Sequence, residues 1–195
     1  MYRRGTEGWI EVVCGPMFSG KSEELIRRVT RSRIARIPTQ IFKPAVDVRY
    51  AEAEVVSHSS LTVDAIPVES SEALLHRIED ATVVVGIDEG QFFDEGLVGV
   101  GEQLAWAGKQ VIIAGLDLDY LGRPFEPIPS LVGRAEYVTK MLAVCHRCGA
   151  PANFTQRTVR SDELVVLGAT DSYEARCRRC WDPEEPEQPH LDLEA

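Results

Sequence analysis

Apolar residues in this chain fall into short blocks whose spacing alternates between strand and helix. Trp9–Cys14 (WIEVVC) is a β-branched run bounded by glycines and predicts a strand. From Glu23 to about Arg36, Leu25, Ile26 and Val29 recur at helical spacing, and Pro38 marks the end. Gln40–Lys43 predicts a short strand closed by Pro44, and residues 47–64 are mixed and polar, predicting loops and short strands. Ser70–Glu79 predicts a helix capped by Ser70 or Ser71, with Ala73, Leu74 and Ile78 on one face. Ala81–Asp88 (ATVVVGID) is nearly continuous in apolar residues, the mark of a strand buried on both faces of a parallel sheet. A helix over Gly96–Ala107, a strand at Gln110–Ala114 and another at Tyr137–Val144 follow. Strand and helix in alternation predict an α/β fold, a parallel sheet flanked by helices, over residues 8–144. Residues 145–181 have few helical signals and carry two cysteine pairs, so they predict a small metal-stapled subdomain.

Composition sharpens this picture at its ends. With 44% hydrophobic residues the 195-residue chain can bury a core. Its net charge is −10, but residues 182–195 (DPEEPEQPHLDLEA) hold six acids and no Lys or Arg, leaving residues 1–181 at −4. The tail has little apolar content and is expected to be a disordered acidic extension. An acidic balance argues against a general nucleic-acid binder, since phosphate backbones demand Lys and Arg. No run reaches the roughly 18–20 apolar residues of a membrane span, so no membrane partner is expected. The N-terminus has no signal-peptide apolar region, and a cytoplasmic location is expected.

Two motifs carry candidate nucleotide chemistry. Gly15-Pro16-Met17-Phe18-Ser19-Gly20-Lys21-Ser22 satisfies G-x-x-x-x-G-K-[ST] between a predicted strand and helix. Glycines there allow close approach of backbone N–H groups to phosphate oxygens, and the following helix points its positive dipole end at them. Lys21 would reach the β- and γ-phosphates, and the Ser22 hydroxyl would ligate Mg²⁺. In VVVGIDEGQFF four apolar residues and a glycine lead to Asp88, placed to hold Mg²⁺ directly or through water. Glu89 follows; it could activate a water, as in an ATPase, or a substrate hydroxyl, as in a kinase, or only steady the metal site. The basic run Arg27, Arg28, Arg31, Arg33 and Arg36 reads as a solvated or subunit-contacting face rather than a phosphate site.

Cys145-His-Arg-Cys148 and Cys177-Arg-Arg-Cys180 are two C-x-x-C knuckles with 28 residues between them. Four thiolates match tetrahedral Zn²⁺ with no coordination position left for water, hence a structural metal. His146 lies between two ligands and is expected not to replace one. Cys14 is expected to be a small buried strand residue. Within the connection, Leu164–Leu167 (LVVL) and the following Gly168–Tyr173 suit either a backbone closing on a small ligand or an ordinary hairpin.

Taken together, GPMFSGKSEELIRRV, KPAVDVRY, IDEGQFF, GLDLDY..GRPF, EYVTK..AVC..CG and GATDSYEARCRRC resemble the type II thymidine kinase family, over about residues 9–181. The resemblance implies a P-loop, RecA-like sheet with a zinc-stapled lasso, and transfer of the ATP γ-phosphate to the 5′-hydroxyl of thymidine or deoxyuridine. Gly15 through Ser22 would bind ATP, with Asp88, Glu89, Gly90 and Gln91 lining the nucleotide–metal site. Glu89 matches the family's proton acceptor. Phe125 matches an aromatic near the thymine ring, Leu121 a neighbouring pocket position, and Met17 a contact to the base methyl. Asp47 and Arg49 match positions tied to the phosphates and the Mg²⁺ water shell. Val165, Val166, Leu167 and Gly168 would hold thymine through main-chain groups, with Tyr173 at the sugar. The resemblance also implies a homotetramer and inhibition by dTTP. Two other readings compete: a P-loop ATPase in which Glu89 activates water, and a zinc-ribbon module for nucleic acid, which would leave the phosphate loop unexplained.

Overall fold

A computed structural model describes residues 7–45, 54–56, 62–159 and 172–183. Six strands form one parallel sheet: β1 (Trp9–Cys14), β2 (Thr39–Pro44), β5 (Ile66–Val68), β6 (Val84–Ile87), β7 (Gln110–Gly115) and β8 (Tyr137–Lys140). Their spatial order is β5-β2-β6-β7-β1-β8. Every pairing in this sheet is parallel, with Val12 opposite Ile113 and Ile87 opposite the same Ile113 on its other side. A short antiparallel pair, β3 (Glu54–Val56) with β4 (Thr62–Asp64), lies outside the sheet.

Alternation along the strands divides the core in two. Ile10, Val12, Phe42, Val85, Ile87, Val111 and Ile113 pack against Leu74, Leu97, Val100, Leu104, Ile128 and Leu131. These last come from α2 (Ser71–Arg77), α3 (Gly96–Trp106) and α4 (Ile128–Val132). On the opposite face Val13, Ile41, Val84, Ile112 and Ala114 meet Leu25, Ile26 and Val29 of α1 (Lys21–Ile34). The run Val84–Ile87 is buried at every position, as expected of an interior parallel strand. Glu11 is also buried, and it is satisfied by Arg28 at 2.8 Å, Trp9 Nε1 at 2.7 Å and Gln110 Nε2 at 2.7 Å. Arg28 therefore belongs to the sheet–helix contact, while Arg27 pairs with Glu24 at 2.6 Å.

Several boundaries differ from the sequence expectation for physical reasons. The first helix starts at Lys21, two residues early, because Gly20 in a left-handed conformation (φ 83°) turns the chain into it. Ser70 is the cap of α2, accepting from the Ala73 N–H at 3.0 Å. Tyr137–Val144 is not one strand: Tyr137–Lys140 extends the sheet beside β1, and β9 (Ala143–Val144) pairs antiparallel with β10 (Pro151–Ala152). One apolar run thus serves two ladders, with the break at Met141, whose N–H donates to Cys14 O at 2.8 Å. Helix α4 had no counterpart in the sequence reading; its prolines look like breakers but sit at the helix start, where a missing N–H costs nothing. Strand β11 (Phe154–Arg157) pairs antiparallel with β12 (Tyr173–Arg176) and completes the cysteine region. No helix among the described residues is long and apolar enough to cross a membrane.

Candidate phosphotransfer site

The candidate residues gather where β1, β6 and β7 end, on the side where open parallel sheets place their ligands. After β1 the chain turns sharply. Gly15 has φ 149°, and a Cβ there would lie 2.3 Å from Met141 O, so only glycine fits. Phe18 is held at φ 64° without being a glycine, a conformation that persists only when the surroundings enforce it. Lys21 is buried, and its Nζ donates to Pro16 O at 2.8 Å; Ser19 Oγ donates to the same carbonyl at 2.8 Å. Burial pushes the Lys21 amine below its usual range, opposed by the carboxylates of Glu89, Asp88 and Asp117.

Asp88 directly follows β6, its N–H donating to Phe42 O at 3.0 Å. Its Oδ1 accepts from Ser22 Oγ at 3.2 Å, so the hydroxyl and carboxylate expected to share Mg²⁺ are already adjacent. Two hard oxygen donors beside a phosphate loop suit that ion. Burial, and then the Glu89 charge, push the Asp88 carboxyl up to about 7, against the Glu89 N–H, the Ser22 hydroxyl and Lys21. Glu89 itself sits at φ 49°. Its carboxylate accepts a short hydrogen bond from Gln91 Nε2, while Gln91 Oε1 accepts from the Leu116 N–H at 2.9 Å. Gln91 is thus a buried brace between Glu89 and the end of β7. Gly90 opens a single 3₁₀ turn, packed where a Cβ would meet Ile113 and Ile128 at 2.9 Å.

The loop after β7 carries Leu121 and Phe125. Asp119 Oδ1 accepts from the N–H groups of Leu121 at 2.9 Å and Arg123 at 2.8 Å, which closes the loop on itself. Phe125 meets Phe92 edge-on, with ring centres 6.3 Å apart. Tyr173, on β12, is buried, and its hydroxyl accepts from Arg157 Nη2 at 3.3 Å; the same guanidinium lies 3.6 Å above the Tyr120 ring. Met17 N–H donates to Thr155 Oγ1 at 3.0 Å. Asp47, Arg49, Val165, Val166, Leu167 and Gly168 lie outside the described residues, as does the chain beyond Pro183.

Asp117, Tyr120, Thr155 and Arg157 were not singled out from the sequence. Asp117 pairs with Lys140, and its other oxygen is buried. Asp117 lies in the GLDLDY block, but its place beside the phosphate loop follows from the strand order, with β7 inserted between β6 and β1.

The four cysteines Cys145, Cys148, Cys177 and Cys180 present their sulfurs within 4.8 Å of one another. Burial raises the Cys145 thiol, but N–H groups of Cys177, Cys148 and Arg147 outweigh it and bring it to about 6. Cys180 is pushed up to about 12, chiefly by its bonds to Cys148 and Cys177. A tight, N–H-rich cage of four sulfurs fits a structural zinc ion. His146 is not in the sulfur cluster; its ring stacks on Phe18, with centres 6.1 Å apart.

A glycine loop that opens a helix, facing oxygen donors two strands away, is the arrangement of P-loop nucleotide-binding proteins. Within that class the sequence is specific. The family model described as thymidine kinase matches residues 8–181. A thymidine kinase from Rhodothermus sp. (strain ITI 518) is 56% identical over 182 residues, covering 93% of this chain and 85% of that protein. One from Bdellovibrio bacteriovorus is 53% identical over 187 residues, covering 96% and 91%. The chain belongs to the thymidine kinase family.

Proposed function

We propose that the chain transfers the γ-phosphate of ATP to the 5′-hydroxyl of thymidine, and of deoxyuridine, giving the nucleoside monophosphate and ADP. The observation that carries this reading is the Glu89 carboxylate, braced by Gln91, beside Lys21, Ser22 and Asp88 in a member of this family. Residues 8–144 act as the nucleotide-binding unit and residues 145–181 as the zinc-bearing unit that closes on the nucleoside. The family reading extends to dTTP as feedback inhibitor, to a homotetramer and to a cytoplasmic location.

Phosphoryl transfer has a loose transition state, so positioning and charge neutralisation dominate. The loop Gly15–Ser22 receives the phosphates on its backbone. Lys21 leaves the Pro16 carbonyl and engages the β- and γ-oxygens. Ser22 and Asp88 would hold Mg²⁺, which would supply further neutralisation of phosphate charge. Glu89 orients the 5′-hydroxyl and accepts its proton as the oxygen attacks phosphorus. Leu121, Phe125, Met17 and Tyr173 enclose the nucleoside. Thymine N3 donates where cytosine N3 accepts, so main-chain recognition leaves cytosine with an unpaired buried group and disfavours it.

ADP formation from Mg-ATP, followed with and without thymidine, deoxyuridine, deoxycytidine or deoxyadenosine, tests the reading. Turnover is expected with thymidine and deoxyuridine only, and dTTP is expected to halt it. Turnover indifferent to every nucleoside would instead make the chain an ATPase in which Glu89 serves water.

A further inference from the structure

The phosphate loop is fastened from outside the sheet. Phe18, at φ 64°, packs into a cluster formed by Ala143, Cys145, Ala152, Ala175 and Cys177. Its ring stacks at 25° on His146, which follows Cys145 in the first knuckle. One residue earlier, the Met17 N–H is held by Thr155 Oγ1 on β11. A trans peptide points its C=O and N–H in opposite directions. By holding the Met17 N–H, Thr155 therefore turns the Pro16 carbonyl the other way, toward Lys21 and Ser19, which both donate to it. Thr155 and His146 are themselves tied to the cysteine cluster. Thr155 lies opposite Ala175 in the β11–β12 ladder, Ala175 O accepts from the His146 N–H at 2.9 Å, and Cys177 follows two residues later.

We propose that the cysteine hairpins act as a strut for the phosphate loop, with Thr155 and His146 as positioning residues through which zinc occupancy sets affinity for the ATP phosphates. The proposal rests on the reading of Gly15–Ser22 as the ATP-phosphate site. A phosphate loop works by preorganised N–H groups, and a strained angle at Phe18 relaxes unless neighbours oppose it. The sheet supplies only part of that opposition, since Thr155, His146 and the alanine cluster all come from the cysteine region. Zinc in this region would thereby act on a site that holds no zinc ligand.

Calorimetric titration of the full, zinc-loaded chain with Mg-ATP in the absence of nucleoside tests this, with zinc content measured on each variant. Thr155→Val keeps the shape of the buried side chain but removes the acceptor, and should weaken Mg-ATP binding between about twofold and tenfold, the range of one hydrogen bond. Zinc content should hold, any loss of thymidine affinity through Met17 should be smaller than the loss for ATP, and Thr155→Ser should restore ATP binding. His146→Ala, at a largely exposed position, should cost about twofold, the low end of that range. Chelator-stripped protein should lose at least as much ATP affinity as Thr155→Val. Parent-like ATP binding by zinc-loaded Thr155→Val, or by the stripped chain, would overturn the strut. So would a loss confined to thymidine, which would make Thr155 a nucleoside contact instead. Lys21→Met serves as control: if it too leaves ATP binding intact, the ATP site itself has been misplaced. If it weakens binding where Thr155→Val does not, only the coupling fails.

Discussion

In the central sheet, Val12, Val13, Val85, Ile87, Ile112 and Ile113 are completely buried, and helices cover both faces. In the cysteine hairpins the buried cluster is Ala143, Ala152, Ala175 and two cysteines, with Phe18 borrowed from the phosphate loop. A buried Val or Ile side chain contributes about 1.5–3 kcal/mol, an alanine methyl closer to 0.8 kcal/mol. The first region is held by apolar burial throughout, whereas the second adds to its alanines only the buried rings of Phe154 and Tyr173, with Phe154 stacked on Trp181 at 4.5 Å. Four convergent sulfurs there are placed to hold a metal ion that would add to this smaller core. Where stability comes from side-chain volume, the fold tolerates loss of one contact. Where a bound ion would supply a large share, loss of one ligand should cost most.

Cys177→Ser presses hardest on this contrast. Structural zinc is worth on the order of 10–16 kcal/mol in small zinc peptides, far more than any single residue of the sheet. The variant should lose zinc, become open to proteolysis within residues 145–181, and lose thymidine-dependent turnover by at least about a hundredfold, because the hairpins and what they hold are displaced. The thermal transition of the sheet should survive with little change. A single transition in which sheet and hairpins melt together would show that the two regions are not stabilised separately. A zinc-free variant with full activity would remove the structural role of the cysteines.

Next in size is a change that should unfold neither region. Glu89→Gln keeps the volume and the place of the side chain but cannot accept the hydroxyl proton. A positioned base contributes roughly 10²–10⁴-fold, so kcat should fall by that factor with modest change in ATP affinity and none in zinc content. An unchanged kcat would strip Glu89 of its role as base. A fall in ATP affinity matching the fall in kcat would instead make it a ground-state contact.

The same contrast explains what was legible in the sequence. Strands β1, β6 and β7 stand out because buried parallel strands write continuous apolar runs. The phosphate loop and the cysteine knuckles stand out because glycines and paired thiols at fixed spacing have few other uses. The β9–β12 hairpins did not, since strands built on Ala143, Ala152 and Ala175 carry no hydrophobic period. Short β5 and proline-led α4 were hidden for similar local reasons. Asp117, Thr155 and Arg157 reach the site only through strand order and hairpin docking, which are long-range facts. Gln91 falls within the motif that the resemblance ties to ATP, and the geometry adds its bridge from Glu89 to Leu116.

The smallest effect concerns protons at the end of β6, beside the phosphate loop. Asp88 has its carboxyl pushed from the ordinary 3.8 up to about 7, first by burial and then by the charge of Glu89. In the metal-free chain the folded state therefore binds more protons than the unfolded state between those two values. This contribution to stability is full below the unfolded value and is lost as pH rises through about 7. Binding Mg²⁺ requires the carboxylate, so Mg-ATP should displace a proton below about pH 7 and very little above it. Calorimetry in buffers of different ionisation enthalpy should show proton release near pH 6 that fades by about pH 8, after subtraction of the known release from ATP and Mg²⁺ themselves. Glu89→Gln removes the second cause of the shift, so the same release should move to lower pH. Zinc-stripped protein should keep this proton signature wherever it still binds Mg-ATP, because Asp88 belongs to the sheet. Proton release that is identical at both pH values would mean Asp88 is already ionised when the metal arrives. Release that vanishes with zinc, while Mg-ATP still binds, would mean that the hairpins govern the carboxylates as well as the loop.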